Sequence, residues 1–152
     1  MRRMKTLSLI AALALAAPAV AKAPALHVSG WARAGVGSSA AYVSVHNGGA
    51  TADRLLGASS PAAANVSIHD SQNQGGVMRM RAAGPVRVAP GASIAMKPGG
   101  LHVMLMGLKA PLRPGTRLPI VLRFEKAGAV RASLPVLPPG AQGLTAEAHR
   151  GH

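Results

Sequence analysis

Residues 101–108 read Leu-His-Val-Met-Leu-Met-Gly-Leu, LHVMLMGL. Successive side chains of a strand point to opposite faces, so a strand here sets His102, Met104 and Met106 on one side. Methionine is ordinary core filler, and two of them need no special account. A histidine heading the same stripe does. The rest of the chain repeats this period of two in short runs. AAYVSVHN (40–47) alternates Ala41, Val43 and Val45 on one face, and ANVSIHD (64–70) alternates Val66 and Ile68 with Ser67 and His69. VMRMR (77–81), PVRV (85–88), ASIAM (92–96), RLPIVLRF (117–124) and AVRASLPV (129–136) are further strand candidates. Between them fall Pro90-Gly91, Pro98-Gly99-Gly100, Pro114-Gly115 and Pro138-Pro139-Gly140, the punctuation of turns. Eight or nine short strands at intervals of ~8–12 residues describe an all-β sandwich or barrel in a single domain, with minimal helix.

The first 21 residues read differently. Arg2, Arg3 and Lys5 precede the apolar run LSLIAALALAAPAV, and Ala19 and Ala21 supply the small residues of an A-x-A cleavage site. This is the pattern of a secretory signal peptide, too short and alanine-rich for a convincing membrane span. Residues 1–21 are therefore expected to be removed, with retention as an uncleaved anchor the minor alternative. The expected product is a 22–140 domain followed by a loose polar tail, 141–152, in the periplasm and not integral to the membrane.

Without Arg2, Arg3 and Lys5, 14 of the 17 Lys/Arg remain against four Asp/Glu, a net charge of +10. Such a balance favours acidic partners, or it simply keeps the surface soluble. Nucleic acid is a poor fit. Only Trp31, Tyr42 and Phe124 could stack on bases, and the cations are scattered singly.

Catalysis has little to work with. Asp53, Asp70, Glu125 and Glu147 are widely separated, and no nucleophile elbow, HExxH helix or phosphate loop is present. An enzyme is not expected. Hard cations that need several carboxylates are disfavoured for the same reason. Cysteine is absent, which removes thiol redox chemistry, thiolate zinc sites and the His/His/Cys set of blue-copper electron carriers.

Methionine placement is more informative. Outside the first 21 residues, all five methionines (Met78, Met80, Met96, Met104, Met106) fall within 29 positions, and two pairs stand two apart. A methionine-rich core layer would account for the strand pairs alone. Histidine alters that, because His69 ends one alternating run and His102 begins another. Thioether and imidazole together suit Cu(I) and offer hard cations almost nothing. Such ligands also survive an oxidising compartment without forming disulfides, although they can become sulfoxides. Being neutral, they leave the ion's charge uncompensated, which suits a site that releases its metal.

Ten residues separate His69 from Met80, twenty-one separate Met80 from His102, and one separates His102 from Met104. This H-x10-M-x21-H-x-M spacing resembles the signature of the periplasmic PCu(A)C copper chaperones, also known as DUF461. Trp31-Ala32-Arg33, Tyr42, Asn47, Asp53-Arg54-Leu55, MKPGGLHVMLMGL (96–108) and FEKAG (124–128) extend the resemblance over nearly the whole chain. It implies a cupredoxin-like Greek-key β-sandwich, with His69, Met80, His102 and Met104 as Cu(I) ligands. It further implies copper delivery to the dinuclear centre of cytochrome c oxidase, through subunit II and/or a thioredoxin-like Sco protein. Copper sequestration at the same site, or a metal-free module that binds polyanions, are the alternatives. Met96 stands where the family would have leucine and is expected in the core.

Met106 is expected to pack in the core or shield the site, and Met78 to lie at the surface beside Met80. His27 and His46 have no partner at ligand spacing and read as ordinary surface or hydrogen-bonded histidines. His149 and His152, in the tail, resemble the family's His/Met-rich extensions that bind Cu(II), though only two histidines and no methionine are present. Asp70 could orient an imidazole or sit in a surface turn. Arg79 and Arg81 flank Met80 on the opposite strand face, as contacts for an acidic partner or as solvated charges.

Overall fold

The computed structural model describes residues 25–144. Ten strands run in the order β1 (Leu26–Arg33), β2 (Ser38–Asn47), β3 (Asp53–Ser59), β4 (Ala63–Gln74), β5 (Val77–Ala82), β6 (Val86–Val88), β7 (Ser93–Ala95), β8 (Leu101–Leu108), β9 (Arg117–Phe124) and β10 (Gly128–Leu137). No helix is present among the described residues, and none is therefore long and apolar enough to cross a membrane. Pairing follows the order β5-β4-β8-β2-β1-β10-β9-β3-β6, with β7 also on β2. Every pairing is antiparallel except β1 with β10, where Ala32 faces Val136 and Arg33 faces Leu137.

That parallel seam joins two halves that close on one core. From β5-β4-β8-β2-β1 come Ala32, Ala41, Val43, Val45, Ile68, Val103 and Leu105; from β10-β9-β3-β6 come Leu55, Val88, Leu118, Ile120, Leu122, Phe124, Leu134 and Val136. Strand alternation selects them: Leu118, Ile120, Leu122 and Phe124 are buried while Arg117, Pro119 and Arg123 are exposed. The architecture is the cupredoxin-like β-sandwich that the family resemblance implied, and Met96 is in its core. Trp31 and Tyr42 are buried and Phe124 lies at the centre, so none of the three aromatic residues offers a face to stack on bases.

Two buried polar side chains fasten the loops at one end. Asp53 accepts N–H bonds from Arg54 (2.8 Å), Lys126 (2.9 Å) and Ala127 (2.9 Å), which pins the β9–β10 turn to the start of β3. Burial pushes its carboxyl pKa up, but the three N–H donors and the Lys126 charge outweigh that and hold it below the ordinary aspartate value. Asn47 donates to the carbonyls of Thr51 and Val88 and accepts from Gly49 N–H.

The strand runs read from sequence all appear, with β6 and β7 each trimmed to three residues. Two strands were not anticipated. LHVSGWAR (β1) and DRLLGAS (β3) each carry a central glycine that interrupts the apolar alternation. At the other end, Ala141 is still tied to the domain: it donates to Pro138 O and its carbonyl accepts from Arg33. The expected signal peptide and residues 145–152, including His149 and His152, lie outside the described residues.

Candidate metal centre

Register alone gathers the candidate residues. His69 of β4 faces His102 of β8, and Ser67 faces Met104. On the other side of β4, His69 faces Ala82 and Ser71 faces Met80. Directly opposed residues share a face, as do residues two apart along a strand. His69, Met80, His102 and Met104 therefore project from one face of the β5-β4-β8 ribbon. It is the outer face, because Ile68, Val103 and Leu105 point the other way into the core.

The edge of β2 is shared between two strands, and this places His102. Residues Ser38–Ala41 pair with β8, and Ser44–His46 pair with β7. The turn Lys97-Pro98-Gly99-Gly100 bridges the gap, closed by Gly100 N–H donating to Lys97 O at 3.0 Å. Its last carbonyl, Gly100 O, accepts from Ser71 N–H (3.2 Å) and lies 2.8 Å from His102 Nδ1. A carbonyl only accepts, so Nδ1 carries a proton and Nε2 is the nitrogen left to ligate. Backbone carbonyls fix metal-binding imidazoles in this way. His102 is 5% exposed, walled by Tyr42, whose ring centroid is 6.5 Å away. Trp31 packs on Tyr42 at 4.6 Å, and the Arg33 guanidinium lies over both rings at 5.9 and 5.5 Å.

The His69 ring meets His102 edge-on, with centroids 6.1 Å apart. Its Nε2 is 3.4 Å from Ser67 Oγ, while its Nδ1 is buried with no hydrogen-bond partner in the protein. Orphaned buried polar atoms are rare in folded proteins, and an imidazole nitrogen in that position fits a metal ligand. Met104 is half-buried between Ser67 and Ala40. Met80 is set apart from these three. Facing Ser71, it sits diagonally across from His69 on an edge strand whose every residue is exposed, and it is itself 52% exposed. Gly75 and Gly76, with φ of 63° and 85°, form the tight turn that joins β4 to β5; both angles are unfavourable for other residues. Three of the four candidates thus form a half-buried cluster, with the fourth at its solvent rim.

Other expectations are corrected. Met106 is 50% exposed, not core: it shares the outer face with Met104. Asp70 orients no imidazole. It projects from the opposite face of β4 and accepts from Gln72 Nε2 at 3.1 Å. No sequence signal marks the group that does orient His102, since a backbone carbonyl has no residue identity. Met78 is exposed beside Met80, and Arg79 and Arg81 project from the far face of β5. His27 and His46 are exposed, but they face one another across β1 and β2. Among the described residues, no three His, Cys, Asp or Glu side chains converge to hold a metal. His69 and His102 therefore need the neighbouring thioethers to make up a four-ligand set.

A family model described as "LpqE-like" matches residues 13–136. The chain belongs to this PCuAC-type family. This LpqE-like chain is 35% identical over 127 residues to "Putative lipoprotein Lxx21020" of Leifsonia xyli subsp. xyli, covering 78% of this chain and 76% of that protein. Among solved structures, it is similar to an apo PCuAC domain from PmoF1 (32% identity, TM-score 0.65, 76% of this chain and 95% of the other). It is also similar to a copper-bound PCuAC domain from PmoF2 (26% identity, TM-score 0.63, 76% and 94%).

Proposed function

We propose that this chain binds Cu(I) through His69, Met80, His102 and Met104 and serves as a periplasmic metallochaperone. One observation carries the reading. On a single face, His102 is held with Nε2 open, His69 has a buried nitrogen without a partner, and Met104 stands beside both. The donor set is two imidazoles and two thioethers, with no carboxylate and no thiolate, which selects soft Cu(I) over hard or higher-valent ions. The copper-bound PmoF2 domain supports copper as the cargo.

The same geometry suggests how cargo leaves. His102 is anchored by Gly100 and enclosed by Tyr42, whereas Met80 is on an exposed hairpin that can swing without disturbing the core. Transfer then proceeds by ligand exchange. Met80 yields first to an incoming donor of the acceptor, and the two histidines release last. All four ligands are neutral, so no proton need move to let the ion go. The acceptor implied by family resemblance is subunit II of cytochrome c oxidase and/or a Sco-type protein. The basic surface steers an acidic acceptor towards the site.

Anaerobic Cu(I) competition titrations test the site. His102→Ala and Met104→Ala should each weaken binding severely, and unchanged affinity in both would reject the assignment. A deletion strain tests delivery. Low oxidase activity at limiting copper supports it; copper sensitivity with normal oxidase points to sequestration.

A further inference from the structure

We infer that His27 and His46 form a second, separate copper site, selective for Cu(II). The two residues lie 19 positions apart in sequence, but the β1–β2 register sets them directly opposite one another. Both are exposed and on the same outer face as Trp31 and Tyr42, which stand four residues along the same two strands. Their rings are nearly parallel, at 22°, with centroids 6.5 Å apart. A metal held ~2.0 Å from one nitrogen of each ring keeps the centroids no more than roughly 6 Å apart, and each nitrogen binds in its own ring plane, so both exposed side chains must rotate out of this stacked pose to converge on an ion.

His46 is already oriented. Its Nδ1 is 2.9 Å from Ser93 Oγ on β7, which faces it in the ladder. In the tautomer whose Nδ1–H donates to Ser93 Oγ, Nε2 is left as the ligand, the arrangement typical of a metal-bound imidazole. Cu(II) is the ion of choice for two nitrogens with water filling the remaining positions, since it heads the divalent series and accepts tetragonal nitrogen and oxygen ligands. No thioether belongs to the pair, so Cu(I) gains little there. Four residues of strand place it roughly 13 Å along the sheet from the row of Tyr42 and His102, too far to share an ion with that site.

Aerobic Cu(II) titration of the full chain, read by calorimetry and electron paramagnetic resonance, tests this. The expected result is one Cu(II) with two-nitrogen coordination, lost in both His27→Ala and His46→Ala and retained in His69→Ala/His102→Ala. Ser93→Ala should weaken it ~10-fold or more. All these side chains except His69 and His102 are exposed, so circular dichroism should show the fold intact. Cu(II) that persists in both single variants, or that disappears in His149→Ala/His152→Ala, overturns the inference. Loss of Cu(I) binding in His27→Ala/His46→Ala would also overturn it, because the two sites would then not be separate.

Discussion

Asp53→Asn isolates the contribution of one buried carboxylate. Oδ1 accepts from Arg54 and Lys126 N–H, and Oδ2 from Ala127 N–H. Asparagine keeps the shape and the first two bonds but loses the charge, and its amide turns a donor towards the Ala127 N–H. A hydrogen bond to a charged group is worth ~1.5–3 kcal/mol, and Asp53 is buried enough for most of one to be felt. The expected loss is about 2 kcal/mol at pH 7, or roughly 8 °C in Tm for a domain of this size. The pH dependence has a definite sign. The folded pKa lies below the ordinary value of 3.8, so the charge-dependent stabilisation is full above that value and fades as pH falls through the folded pKa. Urea melts of wild type and variant at pH 7, 5 and 3 should converge at the acid end. A difference under about 0.5 kcal/mol at pH 7, or one that widens on acidification, would refute the account. Copper affinity of the folded variant should not change, since Asp53 lies outside the ribbon that carries the four candidate ligands.

Leu105→Ala empties a fully buried position directly behind the Met104 stripe, and should cost ~3 kcal/mol in denaturant melts. Gly30→Ala should be at least as damaging as a typical core truncation: φ is 150°, and the added methyl would collide with the Tyr42 carbonyl. Its thermal melt should fall below that of Ser29→Ala, an exposed neighbour. Met106→Leu should leave both Cu(I) affinity and stability unaltered to within about 0.5 kcal/mol, because Met106 is half-exposed and outside the cluster.

Much of the sandwich was legible because alternation is a direct imprint of a pleated strand. RLPIVLRF and LHVMLMGL became β9 and β8 with the bounds read from sequence. β1 and β3 were hidden by Gly30 and Gly57, which break the apolar rhythm while backbone pairing continues around them. Alternation also told which residues share a face, but not which face looks inward. The core placement of Met106 failed for that reason: Val103 and Leu105, not the outer-face methionines, point into the core. The grouping of His69, Met80, His102 and Met104 came from spacing that resembles a family. The His27–His46 pair could not come from spacing at all, because only strand register brings it together. Likewise Gly100 O, which orients His102, depends on the turn at 97–100 rather than on any side chain.

X-ray absorption at the copper edge on the anaerobic Cu(I)-loaded chain is the most direct test of the central claim. The account predicts one Cu(I) with two nitrogen and two sulfur neighbours, a sulfur being lost in Met80→Leu and again in Met104→Leu. A shell of nitrogen and oxygen only, or a sulfur count indifferent to both substitutions, would contradict it.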